Sequence, residues 1–161
     1  MELGNRLSME KTIKNRFFFD TIQSKVDNKC RVCVPAAYRE ILESKDSTLV
    51  AFRSFVHPCI ECYPYVYMNM IIEKINNNFD LFSDRHDDMT RLFLADAKEF
   101  VYDSTGRIVL TEKLLKHSYI TDTAVFVGMG EKFQIWAPEI YEEEDRKLRS
   151  ALLKNNAGEN K

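Results

Sequence analysis

Two short segments carry the charged groups from which chemistry could be built, and each is a version of the other. Val26-Asp27-Asn28-Lys29-Cys30-Arg31-Val32-Cys33-Val34 returns 76 residues later as Tyr102-Asp103-Ser104-Thr105-Gly106-Arg107-Ile108-Val109-Leu110. Each has an Asp, three turn-prone residues, an Arg, and then apolar alternation. The Asp can accept N–H groups of its own turn and pair with the Arg, which holds the loop in shape. The Arg then offers a planar fork of donors matched to phosphate or to O6 and N7 of guanine, and Lys29 adds a point charge. Taken singly, an Asp/Arg pair at a turn is a surface ion pair worth ~0–1 kcal/mol. Duplication points instead to a multivalent binding surface, since catalytic sites rarely need one loop twice.

The cysteines make a competing signal. Cys30-x-x-Cys33 and Cys59-x-x-Cys62 are two pairs of the spacing that thiolate zinc sites use, when a tight turn aims both sulfurs at one metal. Here both pairs lie in strand-like sequence, where residues three apart face opposite ways, and neither has the Gly of a metal-binding turn. We read them as small, reduced hydrophobes and expect no metal and no cofactor; a zinc ribbon is the rival reading. His57 and Cys59, two apart on an extended segment, do not meet as a nucleophile and base, and no third group orients them. His57, His86 and His117 share no ligand spacing. An enzyme is not expected.

The elements that must position the two loops repeat as well. Each loop leads into a short helix, Ala36 to Glu43 and Glu112 to His117. A strand follows, Thr48 to Phe52 and Thr123 to Val127, with Leu49 and Val125 still 76 apart. A last strand ends each copy, Ile60 to Tyr63 and Phe133 to Trp136, now 73 apart. Tyr63 and Trp136 become equivalent positions with core packing as their role. Units of about 45 residues are too small for a comfortable core, so each should be completed by its sister or by another chain. Met68, Ile71, Ile72 and Ile75, then Met89, Leu92 and Phe93, recur at helical spacing on either side of Asn76-Asn77-Asn78, which predicts an antiparallel helix pair beneath the repeats. Pro138 opens a final helix with Glu143–Lys147 and Asp145–Arg149 pairs, expected to fray before Asn155.

The chain of 161 residues has a net charge of −2, which argues against a simple duplex binder that depends on Lys and Arg in excess. The charge is uneven: residues 1 to 31 hold seven Lys or Arg against four acids, while Glu139 to Asp145 hold five acids. Lys11, Lys14 and Arg16 read as part of a disordered lead. No apolar run reaches membrane-spanning length and no signal peptide is apparent, so a soluble cytoplasmic protein with no membrane partner is expected.

Val26-Asp27-x-Lys29-x-Arg31-Val32-x-Val34-Pro35-x-x-Tyr38-Arg39-Glu40, His57-Pro58-Cys59, Tyr63-Pro64, Asp103-x-x-Gly106-Arg107, Val125 to Gly128 and Lys132 to Trp136 together resemble the MraZ family of bacterial regulators of the division and cell-wall gene cluster. The resemblance covers roughly residues 18 to 143. It implies an α+β fold of two SpoVT-AbrB domains, tandem swapped-hairpin repeats that interlace into a small β-barrel-like body, with short helices and a C-terminal helix. The implied division is a flexible lead over 1–20, domain 1 over 21–68, a helical connector over 69–96, domain 2 over 97–140, and a C-terminal helix and tail over 141–161. It further implies a sequence-specific transcription regulator of the cytoplasm and nucleoid that binds short direct repeats in promoter DNA as a ring-like homo-oligomer.

Carried onto this sequence, the family's loops assign DNA contact to Arg31, Lys29 and Arg107, with Gln23 and Lys25 adding contacts from the strand before. Asp27, Asp103, Cys30 and Gly106 shape the turns. Cys30 stands where the family usually has Gly, and a Cys at positive φ would be strained. Thr105 stands where the first loop has Lys29, which leaves Arg107 the only cation of the second loop. A protein-interaction scaffold that keeps the fold without reading DNA is the alternative from another class.

Overall fold

The computed structural model describes residues 17–159, so Lys11, Lys14 and Arg16 lie outside the described residues. In chain order the elements are β1 (Thr21–Lys25), β2 (Arg31–Cys33), α1 (Ala36–Glu43), β3 (Thr48–Arg53) and β4 (Ile60–Pro64). Then come a 3-10 turn at Tyr65–Tyr67, α2 (Met68–Asn78), α3 (Asp84–Thr90) and a π turn at Arg91–Ala95. The second set is β5 (Lys98–Val101), β6 (Arg107–Val109), α4 (Glu112–Ser118), β7 (Thr123–Gly128) and β8 (Phe133–Trp136), followed by α5 (Pro138–Glu159). Local signals set several boundaries. The Ser83 hydroxyl accepts from the His86 amide at 3.1 Å to start α3, and Thr111 accepts from the Leu114 amide at 3.3 Å to start α4.

The repeats complete one another by exchanging their first strands. β1 leaves its own repeat to pair with β7, and β5 pairs with β3, giving one antiparallel sheet of order β1-β7-β8-β4-β3-β5. β2 and β6 form a separate two-stranded ribbon. The expectation that each unit is finished by its sister is thus met within a single chain. The sheet is open: β1 and β5 are its edges and no ladder joins them.

The two pairings at the centre obey an approximate twofold axis. In the ribbon Val32 faces its own equivalent, Ile108, and in the sheet Glu61 faces its equivalent, Gln134. One side of the sheet presents Leu49, Ala51, Ile60, Cys62, Ala124, Phe126, Phe133 and Ile135 to a core shared with Val32, Ile108, Tyr38, Leu42 and Leu114. Tyr38 anchors that core: its ring meets Phe18, Phe126 and Phe133 edge-on or tilted, and its hydroxyl donates to the carbonyls of Phe19 and Asp20 at 2.8 and 2.9 Å. Each fully buried aromatic of this kind contributes roughly 2 kcal/mol by apolar burial. The other side of the sheet is covered differently in its two halves, by Phe93 stacked edge-on against Phe52 in the first and by Tyr141 of α5 against Trp136 in the second.

Four expectations are corrected. The 76-residue correspondence does not survive the helix: Leu49 and Ala124 both face the shared core while Val125 faces the other way with Trp136, so the true offset at these strands is one less. The cause is the exit from the helix, which uses two left-handed residues, Asp46 and Ser47, in the first repeat and a single one, Tyr119, in the second. Phe18, placed in the flexible lead, is 1% exposed and its backbone bridges Gly130, because a ring of that size fills the gap between Tyr38 and Phe133. Helix α5 continues to Glu159; Asn155, Asn156 and Gly158 are weak helix formers, but a few tenths to about 1 kcal/mol each does not stop a helix already nucleated. Within it Glu143 pairs with Arg146 at 2.7 Å rather than with Lys147, while Asp145–Arg149 forms as expected at 2.9 Å.

Candidate nucleic-acid interface

Both Asp-to-Arg loops are closed turns tied by the Asp side chain. In the first, the Asp27 Oδ1 accepts the amides of Lys29 and Arg31 at 2.9 Å each, and Oδ2 accepts Arg31 Nε at 2.7 Å. In the second, Asp103 Oδ1 accepts the amides of Thr105 and Arg107 at 2.9 and 3.0 Å and the Thr105 hydroxyl at 2.8 Å, and Oδ2 accepts Arg107 Nε at 3.0 Å. These bonds hold both carboxyls below the usual range, the Arg31 amide leading for Asp27 and the Arg107 amide for Asp103. Each Asp is therefore ionised before any ligand arrives, and each Arg is oriented through Nε with its two terminal amino groups directed onward.

The fourth residue of each turn is left-handed: φ is 61° at Cys30 and 82° at Gly106. The strain expected of Cys30 is present, on the order of 1–2 kcal/mol for a residue with a Cβ. The first loop nonetheless keeps the shape of the second, because the Asp bonds and the paired backbone bonds, Asp27 to Arg31 at 3.0 Å and Asp103 to Arg107 at 2.9 Å, are the same.

The ribbon brings the two loops' arginines onto one surface. Arg31 pairs with Val109, and Cys33 pairs with Arg107. Side chains alternate along a strand, so with Val32 and Ile108 in the core these four residues share the outward face. Arg31 and Arg107 are diagonal neighbours there, roughly 7–8 Å apart along the backbone. Lys29 is fully outward on its turn. Gln23 and Lys25 are the exposed positions of β1, and Lys25 directly precedes the Val26–Val32 bridge, so it stands beside the first loop while Gln23 lies one alternation farther along. The residues 76 further on, Glu99 and Val101, bring no positive charge to the second loop.

Sequence reasoning missed two features. Arg39 of α1 lies across the second loop: a Cβ added to Gly106 would come within 2.6 Å of its Nε. Nothing in the spacing of Arg39 signals this, because the loop it touches is 67 residues away in the chain. The second is a buried polar chain on the far side of the sheet, in which Lys132 Nζ donates to Glu61 at 2.8 Å, Gln134 donates to Glu61 at 2.9 Å and Trp136 Nε1 donates to Gln134 at 2.9 Å. It satisfies the Glu61 carboxylate at the pseudo-axis, where a one-residue slip of β4 against β8 would leave that charge unpaired.

The cysteines do not converge. Cys59 packs with Val125, Val127 and Trp136 on one side of the sheet and Cys62 in the shared core on the other. Burial, with the Glu61 charge next, pushes the Cys59 thiol up to about 12 and the Cys62 thiol well above its ordinary range. Both are thiols rather than metal-ready thiolates. Among the described residues no group of three or more His, Cys, Asp or Glu is placed to hold a metal ion, and no helix is long and apolar enough to cross a membrane.

A duplicated, strand-exchanging α+β scaffold that displays paired arginine turns on a β-ribbon is a binding protein by construction. Comparison with known proteins agrees: residues 93–159 match the family model described as "MraZ protein, putative antitoxin-like". The transcriptional regulator MraZ of Gluconacetobacter diazotrophicus is 36% identical over 137 residues, covering 83% of this chain and 86% of that protein. That of Rhodospirillum rubrum is 34% identical over 144 residues, covering 88% and 92%, and that of Rickettsia typhi 34% over 118, covering 73% and 78%. The chain belongs to the MraZ family of transcriptional regulators and is not an enzyme.

Proposed function

We propose that the protein regulates transcription by binding promoter DNA of the bacterial division and cell-wall gene cluster through the outward face of the β2–β6 ribbon. The observation that carries this reading is the cross-strand placement of Arg31 and Arg107, each pre-oriented by an ionised Asp, on one exposed surface. A two-stranded ribbon is of a width that a DNA major groove admits, and an oriented Arg can take guanine O6 and N7 or a phosphate there. Lys29 and Lys25 add backbone contacts beside Arg31. One such ribbon reads only a few base pairs, so assembly into a ring-like homo-oligomer, engaging successive short direct repeats, supplies affinity that a single chain of net charge −2 lacks. In this reading the protein works at the nucleoid in the cytoplasm.

The test is fluorescence anisotropy with the promoter DNA upstream of the protein's own gene, beside a base-shuffled control, across a salt series. Preference for the native repeats with steep salt dependence is the expected result, and Arg31→Ala should lower specific affinity at least a hundredfold while leaving the oligomer's size unchanged. Equal weak binding to both DNAs, or an Arg31→Ala protein that binds normally, refutes the assignment.

A further inference from the structure

We infer that Arg39 is the second phosphate-binding cation of the second loop, supplied by α1 of the first repeat in place of the lysine that loop lacks. The inference rests on the DNA reading above and assigns a residue to it. The first loop carries Asp27, Lys29 and Arg31. The second carries Asp103, Thr105 and Arg107, one positive charge fewer. Arg39 makes up that difference from outside the loop.

Three observations place it there. Its guanidinium lies on Gly106, where an added Cβ would meet Nε at 2.6 Å, Cζ at 2.7 Å and Cδ at 2.9 Å; the space exists only because Gly106 has no side chain. Its Nε donates to the Val34 carbonyl at 3.1 Å, and the Val34 amide donates to the Gly106 carbonyl at 2.8 Å, so one chain of bonds fixes the guanidinium to the loop backbone. Among the described residues it takes part in none of the ion pairs, and it is half-exposed, so its charge is not neutralised locally. With Nε committed to the backbone, the terminal amino groups are what a phosphate oxygen would meet.

The pseudo-symmetry sharpens the assignment. The residue 76 positions after Arg39 is Leu115, half-buried against the core. The loop that has its own lysine therefore receives no cation from the equivalent helix, and the loop without one does.

The experiment is the same anisotropy salt series on the full-length protein and its promoter DNA, with Arg39→Gln, Arg39→Lys and Arg39→Gln combined with Thr105→Lys. Loss of one phosphate contact per bound chain should lower affinity about tenfold at moderate salt and reduce the salt slope by about one per chain for Arg39→Gln. Arg39→Lys, which keeps the charge, should recover most of the slope, and Thr105→Lys should restore it by returning a lysine to the loop. Oligomer size and thermal midpoint, measured alongside, separate lost contact from lost fold. If the parent protein binds and Arg39→Gln binds with the same affinity and slope, the inference is wrong while the DNA reading stands. A defect that neither lysine variant repairs also overturns it, because the role would then be packing alone. A parent protein that does not prefer its promoter DNA sinks both.

Discussion

Asp27 and Asp103 tie their turns with the same bonds to the same backbone positions, within 0.3 Å of one another, yet the two turns have different residues at the left-handed position and different neighbours. The first has a strained Cys, its own lysine and Lys25 close by. The second has a relaxed Gly, no loop lysine, and Arg39 lying over it. The Asp specifies the turn, and what stands at the fourth position follows from what must fit against it. At Gly106 a guanidinium needs the room.

The largest effect that should separate the turns on stability is Gly106→Ala. A Cβ at φ 82° costs roughly 1–2 kcal/mol, and displacing Arg39 from the Val34 carbonyl costs about 1 more; a stiffer unfolded chain returns about 0.5–1. Urea unfolding should report a net loss of about 1–2 kcal/mol, smaller in an Arg39→Gln background. Identical losses in both backgrounds would mean that Arg39 does not depend on the glycine.

The complementary change, Cys30→Gly, should stabilise by about 0.5–1 kcal/mol, since it relieves left-handed strain at the usual entropic cost of glycine. A protein that becomes less stable would show that the Cys30 side chain packs well enough to outweigh its backbone. The smallest effect is in acid. Both carboxyls titrate below the ordinary value of 3.8, so each turn's bonds are present above it and are lost only as pH falls through the lower folded values. Asp103 has the extra Thr105 hydroxyl, so carboxyl carbon shifts in NMR should show Asp27 protonating first. The reverse order would mean that the hydroxyl bond is not kept in solution.

How legible these features were depends on how local they are. The Asp/Arg turns could be read because every bond that makes them lies within five residues. The helices and the alternating strands could be read for the same reason, together with the α+β class. Alternation tells which side of β1 faces inward but not which strand lies beside it, so the partner, β7, was left open between sister repeat and second chain. The one-residue slip between Leu49 and Ala124 was hidden because Thr48 and Thr123 each begin an apolar run that looks alike at either offset. Phe18 and Arg39 act on residues more than sixty positions away, at Gly130 and Gly106, and no pattern in one sequence marks such contacts. Glu61 and Gln134 read as ordinary polar strand residues until the pseudo-axis sets them face to face.

Strand exchange within one chain also sets an order of events during synthesis. β1 emerges from the ribosome with the first twenty-five residues, but its ladder partner spans Thr123–Gly128, so the strand must wait for roughly a hundred more to be made. At about 5–20 residues per second that is several seconds or more with its sheet partner still missing. The ribbon is under the same delay, since β2 carries Arg31 but gains its support only when β6 arrives. A growing chain therefore cannot display the paired arginine face until nearly all of it has been translated, and a prematurely terminated product would carry the first loop without the surface that makes it useful.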